Sequence, residues 1–268
     1  MPRYYISVRN IVALALLIAL AVLFASLGNW QLNRAAERDA IARAIERGRT
    51  QPELVLSHDT RSAELTPWRP AKAEGRFLEA YTVLIENRPY QGRPGYWVAT
   101  PLQLASSPEQ AVLVLRGWLP RPTHPGQPRP EIPAPPEHAV TIHGELLERV
   151  PRLFELWSWS GGSQVALPAK LPDPADPMPT LQNLELDAYA AASGLKLAPI
   201  VLAQLQPVQP GGPAATDTLL REWPEPSLES DKNRGYALQW FGFSTIALLA
   251  ALALAWHTFI RRARPRSK

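Results

Sequence analysis

A chain of 268 residues, 46% apolar and formally +4, would suit one or two ordinary soluble domains if these averages held along its length. They do not: all 24 acidic residues lie between Glu37 and Asp231, and residues 31–235 hold 21 of the 28 Lys and Arg, so the middle is net −3 and the basic surplus belongs to the ends. This excludes a basic nucleic-acid groove on the central part, and zero cysteines exclude disulfide scaffolds, thiolate metal sites, iron–sulfur clusters and thiol redox chemistry.

The first predicted element is a membrane helix. Ile11 to Leu27 carries one Ser and no charge, and extension to Trp30 gives about 30 Å of helix. A run this long, with no convincing small-x-small site before Gly28, reads as an uncleaved anchor rather than a signal peptide. The pattern from Gln31 places Leu32, Ala36, Ile41 and Ile45 on one side, so the helix is expected to continue to Gly48.

From there the period changes. Strands are predicted at Ala71–Phe77, Tyr81–Glu86, Tyr96–Leu104, Ala111–Trp118 and Ala139–Leu147, separated by Gly, Pro and Asn. Of 29 prolines, 27 lie between Pro52 and Pro226, which forbids a mainly helical domain. Pro120 to Pro136 holds eight prolines in seventeen residues and reads as an extended surface loop with polyproline character. Gly161-Gly162-Ser163 and Gly211-Gly212 read as turns, Leu184–Ser193 as a short helix stopped by Gly194, and Leu197–Leu205 as a last strand.

Tyr236–Ile260 is the second predicted membrane helix, followed by the basic tail 261–268. The tail, like Arg3 and Arg9, belongs on the cytoplasmic side. Tyr4, Tyr5, Trp256 and Phe259 then mark the inner interface, and Trp30, Tyr236, Trp240 and Phe241 the outer one. The predicted organisation is a cytoplasmic N-terminus (1–10), a transmembrane helix (11–30), a periplasmic domain (31–235), a second transmembrane helix (236–260) and a cytoplasmic tail (261–268). The fold class is α+β: two transmembrane helices flanking a strand-rich, sheet- or barrel-like periplasmic domain with a few short helices. About ten residues inside at each end leave no output domain for a sensor, and two helices with almost no ionisable group build no transport pathway.

Catalytic chemistry is hard to place. None of the five histidines has the spacing of a metal motif, and neither a nucleophile elbow nor a phosphate-binding glycine loop occurs. What stands out is aromatic and arginine usage. Gly28, Trp30 and Arg34 form G-x-W-x3-R at the outer end of the first helix, where Arg34, four residues on, could lay its guanidinium over the Trp30 indole. Gln239 places an amide just inside the second apolar segment and needs a partner there. Arg116 sits inside a buried run, where a charge must be paired or hydrogen-bonded, and Gly117 beside it suggests a close backbone approach.

Four segments in register carry a resemblance: L-G-N-W-Q-L-N-R (Leu27–Arg34), L-I-E-N-R-P-Y-Q-G-R-P-G-Y-W-V-A-T-P-L (Leu84–Leu102), V-L-V-L-R-G-W-L-P (Val112–Pro120) and N-R-G-Y-A-L-Q-W-F-G (Asn233–Gly242). With both membrane segments they resemble the surfeit locus protein 1 family, Shy1 in yeast. The resemblance implies a non-enzymatic bacterial inner-membrane assembly factor for haem–copper cytochrome c oxidase, assisting delivery of haem a to subunit I. Its implied partners are that subunit, haem a synthase and membrane lipid, with haem a as a transient cofactor. It marks Gly28, Arg34, Asn87, Arg88, Gly95, Arg116, Gly117 and Trp118 as motif positions, and Trp30, Asn233, Tyr236, Gln239 and Trp240 as a haem crevice. Many members carry His where this chain has Asn233, so the resemblance does not extend to an axial haem ligand at this position. The alternatives are a doubly anchored periplasmic hydrolase or envelope-remodelling enzyme, and a structural oxidase subunit.

Overall fold

The computed structural model describes residues 8–122, 124, 131–152, 167–207 and 217–260. Helix α1 (Val8–Arg49) runs unbroken past the apolar segment, as its pattern predicts, and Arg47 and Arg49 in its last turn complement the helix dipole. Helix α3 (Ser230–Ala255) passes into a π turn at Trp256–Ile260. Both are long and apolar enough to cross a membrane, and only 11% and 17% of their apolar windows are buried, unlike the core helices of a soluble protein. The chain divides into two compact units, with boundaries after Arg43 and after Glu225.

In the helical unit α1 and α3 run antiparallel. Asn10 Nδ2 donates to Thr258 Oγ1 (3.2 Å) at one end, Ser244 Oγ donates to the Ala21 carbonyl (2.8 Å) midway, and Asn233 Nδ2 donates to Gln31 Oε1 (2.6 Å) towards the other. Small residues permit the approach: Ala21, Ala247 and Ala251 are buried, and a β-carbon on Gly28 would lie 2.7 Å from the Phe241 ring. Phe24 stacks on Trp240 with centroids 5.7 Å apart. Beyond the apolar stretch, Arg38 donates to the Glu229 carbonyl (2.9 Å) and Arg234 pairs with Asp39.

The other unit is built on eight strands: β1 (Leu54–Leu56), β2 (Pro70–Phe77), β3 (Val83–Ile85), β4 (Gly95–Leu104), β5 (Ser107–Pro120), β6 (Val140–Leu147), β7 (Thr180–Leu181) and β8 (Lys196–Gln204). They are ordered β1-β2-β6-β8-β5-β4-β3-β7, and an added β2–β4 pairing closes β2, β6, β8, β5 and β4 into a barrel. β5 and β8 are parallel, whereas the other barrel pairs are antiparallel. This is the connectivity of an OB-type barrel. Closure removes the free edges that an open sheet of these strands would leave.

Alternation along β2 shows how the barrel fills. Ala71, Ala73 and Phe77 point inward with Leu102, Val112, Val114, Ile142, Leu146, Ile200 and Leu202, while Glu74 and Arg76 face solvent. Each buried aliphatic side chain contributes about 1.5–3 kcal/mol. A second cluster lies outside the barrel, where Trp97, Ala99, Leu113, Leu115, Val201 and Ala203 are covered by Tyr189 and Ala192 of α2 (Leu186–Ser193). Tyr189 donates its hydroxyl to the Tyr81 carbonyl, and burial holds its pKa above the usual tyrosine value. Gly194 ends α2 in the left-handed conformation, φ 68°.

The predicted core strands all form, with shifted ends. β3 is shorter than expected because Glu79–Tyr81 makes a 3-10 turn, α2 starts at Leu186 rather than Leu184, and β8 stops at Gln204 rather than Leu205. β1 and β7, too short to show a period, were not foreseen. The prolines follow ladder logic. Pro70 opens β2 and Pro120 closes β5, while Pro101 falls between the pairing of β4 with β3 (through Ala99) and with β2 (from Leu102). The proline loop therefore begins after Pro120; residues 123 and 125–130 of it, and the turns expected at Gly161-Gly162-Ser163 and Gly211-Gly212, lie outside the described residues.

Candidate functional site

Residues 87–97 and 116–118 come together on one side of the barrel. Asn87 adopts φ 59°, a left-handed value that asparagine tolerates, and turns the chain so that the Arg88 amide donates to the Gly95 carbonyl (3.0 Å). Arg88 is 3% exposed; its guanidinium lies 4.6 Å from the Trp97 ring centroid, and Nη2 donates to the Gln182 carbonyl at 3.0 Å. Nε of Arg88 is buried without a hydrogen-bond partner among the described residues, and burial pushes the guanidinium down to about 10. A cation held by an aromatic face and a carbonyl, with little solvent, is a desolvated charge awaiting compensation.

Trp118, at the end of β5, ties this loop to the barrel. Its Nε1 donates to the Arg88 carbonyl (2.6 Å), Tyr90 packs with ring centroids 5.2 Å apart, and Arg93 lies 6.0 Å over the indole. Gly95 lies against the same ring: a β-carbon there would be 2.3 Å from it. Gly117 makes the close approach its position suggested, since a β-carbon would meet Leu219 Cβ at 2.6 Å. Trp97 meets Trp223 edge-on at 5.4 Å.

Arg116 is 4% exposed, as its place in the strand predicts, but its hydrogen-bond partner is neutral. Nη2 donates to the Pro133 carbonyl (2.7 Å) and the guanidinium lies 5.4 Å over Phe77. Desolvation pushes it down to about 10, against the opposing pull of Asp217. Arg116→Ala then strands a carbonyl rather than a buried charge, so we expect a loss of about 1–3 kcal/mol. Arg116→Met strands the same carbonyl but keeps most of the volume and sheds the desolvation cost, so it should lose less than the Ala variant. Urea unfolding of the two variants checks this; a larger loss in the Met variant than in the Ala variant would contradict it.

At the ends of the membrane helices the expected residues separate. Asn233 is buried against α1 by its bond to Gln31, with Oδ1 left without a hydrogen-bond partner among the described residues, and Trp240 is half-buried on Phe24. Trp30 (58% exposed), Tyr236 (56%) and Gln239 remain uncovered, and the interhelical amide pair is Asn233 with Gln31 rather than one involving Gln239. Arg34 does not lie over Trp30 but bonds Glu37 at 2.9 Å, because a carboxylate one turn away outcompetes an exposed indole. His58 and His143 each meet a single carboxylate, Asp59 and Glu53. Among the described residues no cluster of three or more His, Asp or Glu is arranged to hold a metal. The groups that converge can stack, hydrogen-bond and neutralise an anion.

The family model described as "SURF1 family" matches residues 18–245 of this chain, from the first apolar helix through the barrel into the second. A SURF1-like protein of Rickettsia felis is 30% identical over 107 residues, which cover 39% of this chain and 45% of that protein. A SURF1-like protein of Rickettsia bellii is 28% identical over 99 residues, 36% of this chain and 39% of that one. The chain thus spans less than half the length of each of these curated relatives.

Proposed function

We propose, since this chain belongs to the SURF1 family, that it is a membrane-anchored assembly factor for haem–copper cytochrome c oxidase, assisting haem a delivery to or insertion into subunit I. The observation that carries the reading is the continuity of the family match through both apolar helices and the barrel between them. The antiparallel pair keeps Asn10 and Thr258 at one end. The charges of Arg3, Arg9 and residues 261–268 then favour a cytoplasmic location for both termini, with the barrel in the periplasm. Partners under this reading are subunit I, haem a synthase and lipid, and no enzymatic step is assigned.

Haem a is cargo here. Exposed Trp30 and Tyr236, with Trp240, suit the apolar face of a porphyrin, but Asn233 does not suit its iron. An amide is a poor iron ligand, and this one is already engaged by Gln31. The iron would be held by the partner, with this chain supplying shape and apolar surface. Deleting the gene should lower haem a absorbance and cytochrome c oxidase activity together, leaving quinol oxidases that use other haems intact. A normal haem a spectrum in a deletion strain with no second copy would sink the reading.

A further inference from the structure

An OB-type barrel ordinarily presents the outer face of its second and third strands to ligands. Here those strands are β4 and β5, and their outer face is filled by Tyr189, Ala192 and Leu184 of the chain itself. A cavity of about 170 Å³ stays open beside Trp97, lined by Trp68, Trp97, Trp223, Arg49, Glu145 and Glu225. An apolar cavity of roughly 150 Å³ accommodates a benzene-sized group.

Three features make this more than leftover space. First, Trp68 adopts φ 67°, held by its amide bond to the Leu146 carbonyl (2.7 Å). For a bulky side chain that value is a true outlier, of the kind that collects at ligand clamps. Second, among the described residues that line the cavity one guanidinium is shared by two carboxylates: Arg49 bonds both Glu145 and Glu225 at 2.7 Å, so the charged lining sums to net −1. Third, this chain repeatedly caps indoles with arginine: Arg49 over Trp68, Arg88 over Trp97 and Arg93 over Trp118. Trp223, half-buried with Nε1 committed to the Gln204 carbonyl (2.9 Å), is the cavity's one indole without a guanidinium over it among the described residues.

We propose that this cavity takes the guanidinium of an arginine side chain presented by a partner polypeptide. A planar cation with several N–H donors can stack on an indole and bond the surplus carboxylate at once. A quaternary ammonium has no donors, and a neutral ligand would leave the charge unbalanced. The site is independent of the proposed cargo role and would stand if that role failed.

The test uses the full-length protein in detergent micelles, titrated with N-acetyl-arginine amide and followed by tryptophan fluorescence. The response should saturate, and the neutral isostere N-acetyl-citrulline amide should bind at least about tenfold more weakly, as expected when a charge-assisted bond becomes a neutral one. Glu225→Gln, at a half-exposed side chain, should melt as the wild type does and lose affinity for the arginine amide by about tenfold. No saturable response, equal binding of citrulline, or unchanged affinity in Glu225→Gln would each overturn the proposal. The citrulline comparison needs no variant and stands even if Glu225→Gln misfolds.

Discussion

Replacing Trp118 with alanine should cost the barrel domain on the order of 3–5 kcal/mol, the range for truncating a buried aromatic side chain. Trp118 is 2% exposed, and three elements depend on it: the loop that carries Arg88 and Tyr90, the start of β4 at Gly95, and the end of β5 itself. Truncation leaves a cavity and strands the Arg88 carbonyl, which accepts from Nε1. Because a domain is stable by only about 5–15 kcal/mol, such a loss should reduce the amount of folded protein as well as its unfolding midpoint. Trp118→Phe separates the two causes: it refills much of the space but not the hydrogen bond, and should cost less than Trp118→Ala. A Trp118→Ala midpoint equal to wild type would show that this indole is not the tie we describe.

Gly95→Ala should also destabilise the barrel, though less, for a reason that can be isolated. The added methyl would stand 2.3 Å from the indole, and neither side can yield: Trp118 is pinned by its bond to Arg88, and Gly95 is held in the ladder opposite Pro120. Overpacking of this kind costs about 1–3 kcal/mol. In a Trp118→Ala background the obstacle is gone, so Gly95→Ala should become close to neutral. A double-mutant cycle by chemical denaturation would then give a coupling of about the single-variant loss. Strict additivity would mean that Gly95 is required for its backbone and not for the ring it faces.

Periodicity and punctuation made the five barrel strands legible, because each is long enough to alternate or to run apolar between turn residues. The unbroken α1, the Gly194 stop and the burial of Arg116 were legible in the same way. Closure was not: the β2–β4 pairing joins Gly75 to Leu104 and leaves no local trace. Nor was the meeting of Arg88, Trp97, Trp118 and Trp223, which lie on separate segments and are brought together only by the barrel. The family motifs marked Arg88, Gly95 and Trp118 individually, without showing that Arg88 and Gly95 meet at this one tryptophan. Trp68 gave no signal at all, since a strained φ has no signature beyond the residue's own bulk, and the surplus charge of the Arg49, Glu145 and Glu225 group emerges from three distant positions. At the membrane helices composition predicted the spans, but which amide pairs with which depended on helix rotation, and Asn233 rather than Gln239 faces α1.

The place of β8 has a consequence for how the protein comes into being. Among the described residues it is the last strand to be synthesised, and it hydrogen-bonds to both β5 and β6, so the barrel cannot close without it. Until Gln204 has been made, β5 and β6 each carry an unsatisfied edge, and Leu113, Val114, Leu146 and Leu147 lack their partners Val201 and Leu202. The stretch from Leu147 to Gln204 takes a few seconds to make at roughly 5–20 residues per second. During that interval the nascent chain offers two open apolar edges to any neighbour. Premature termination anywhere in those residues yields an adhesive fragment rather than a smaller barrel.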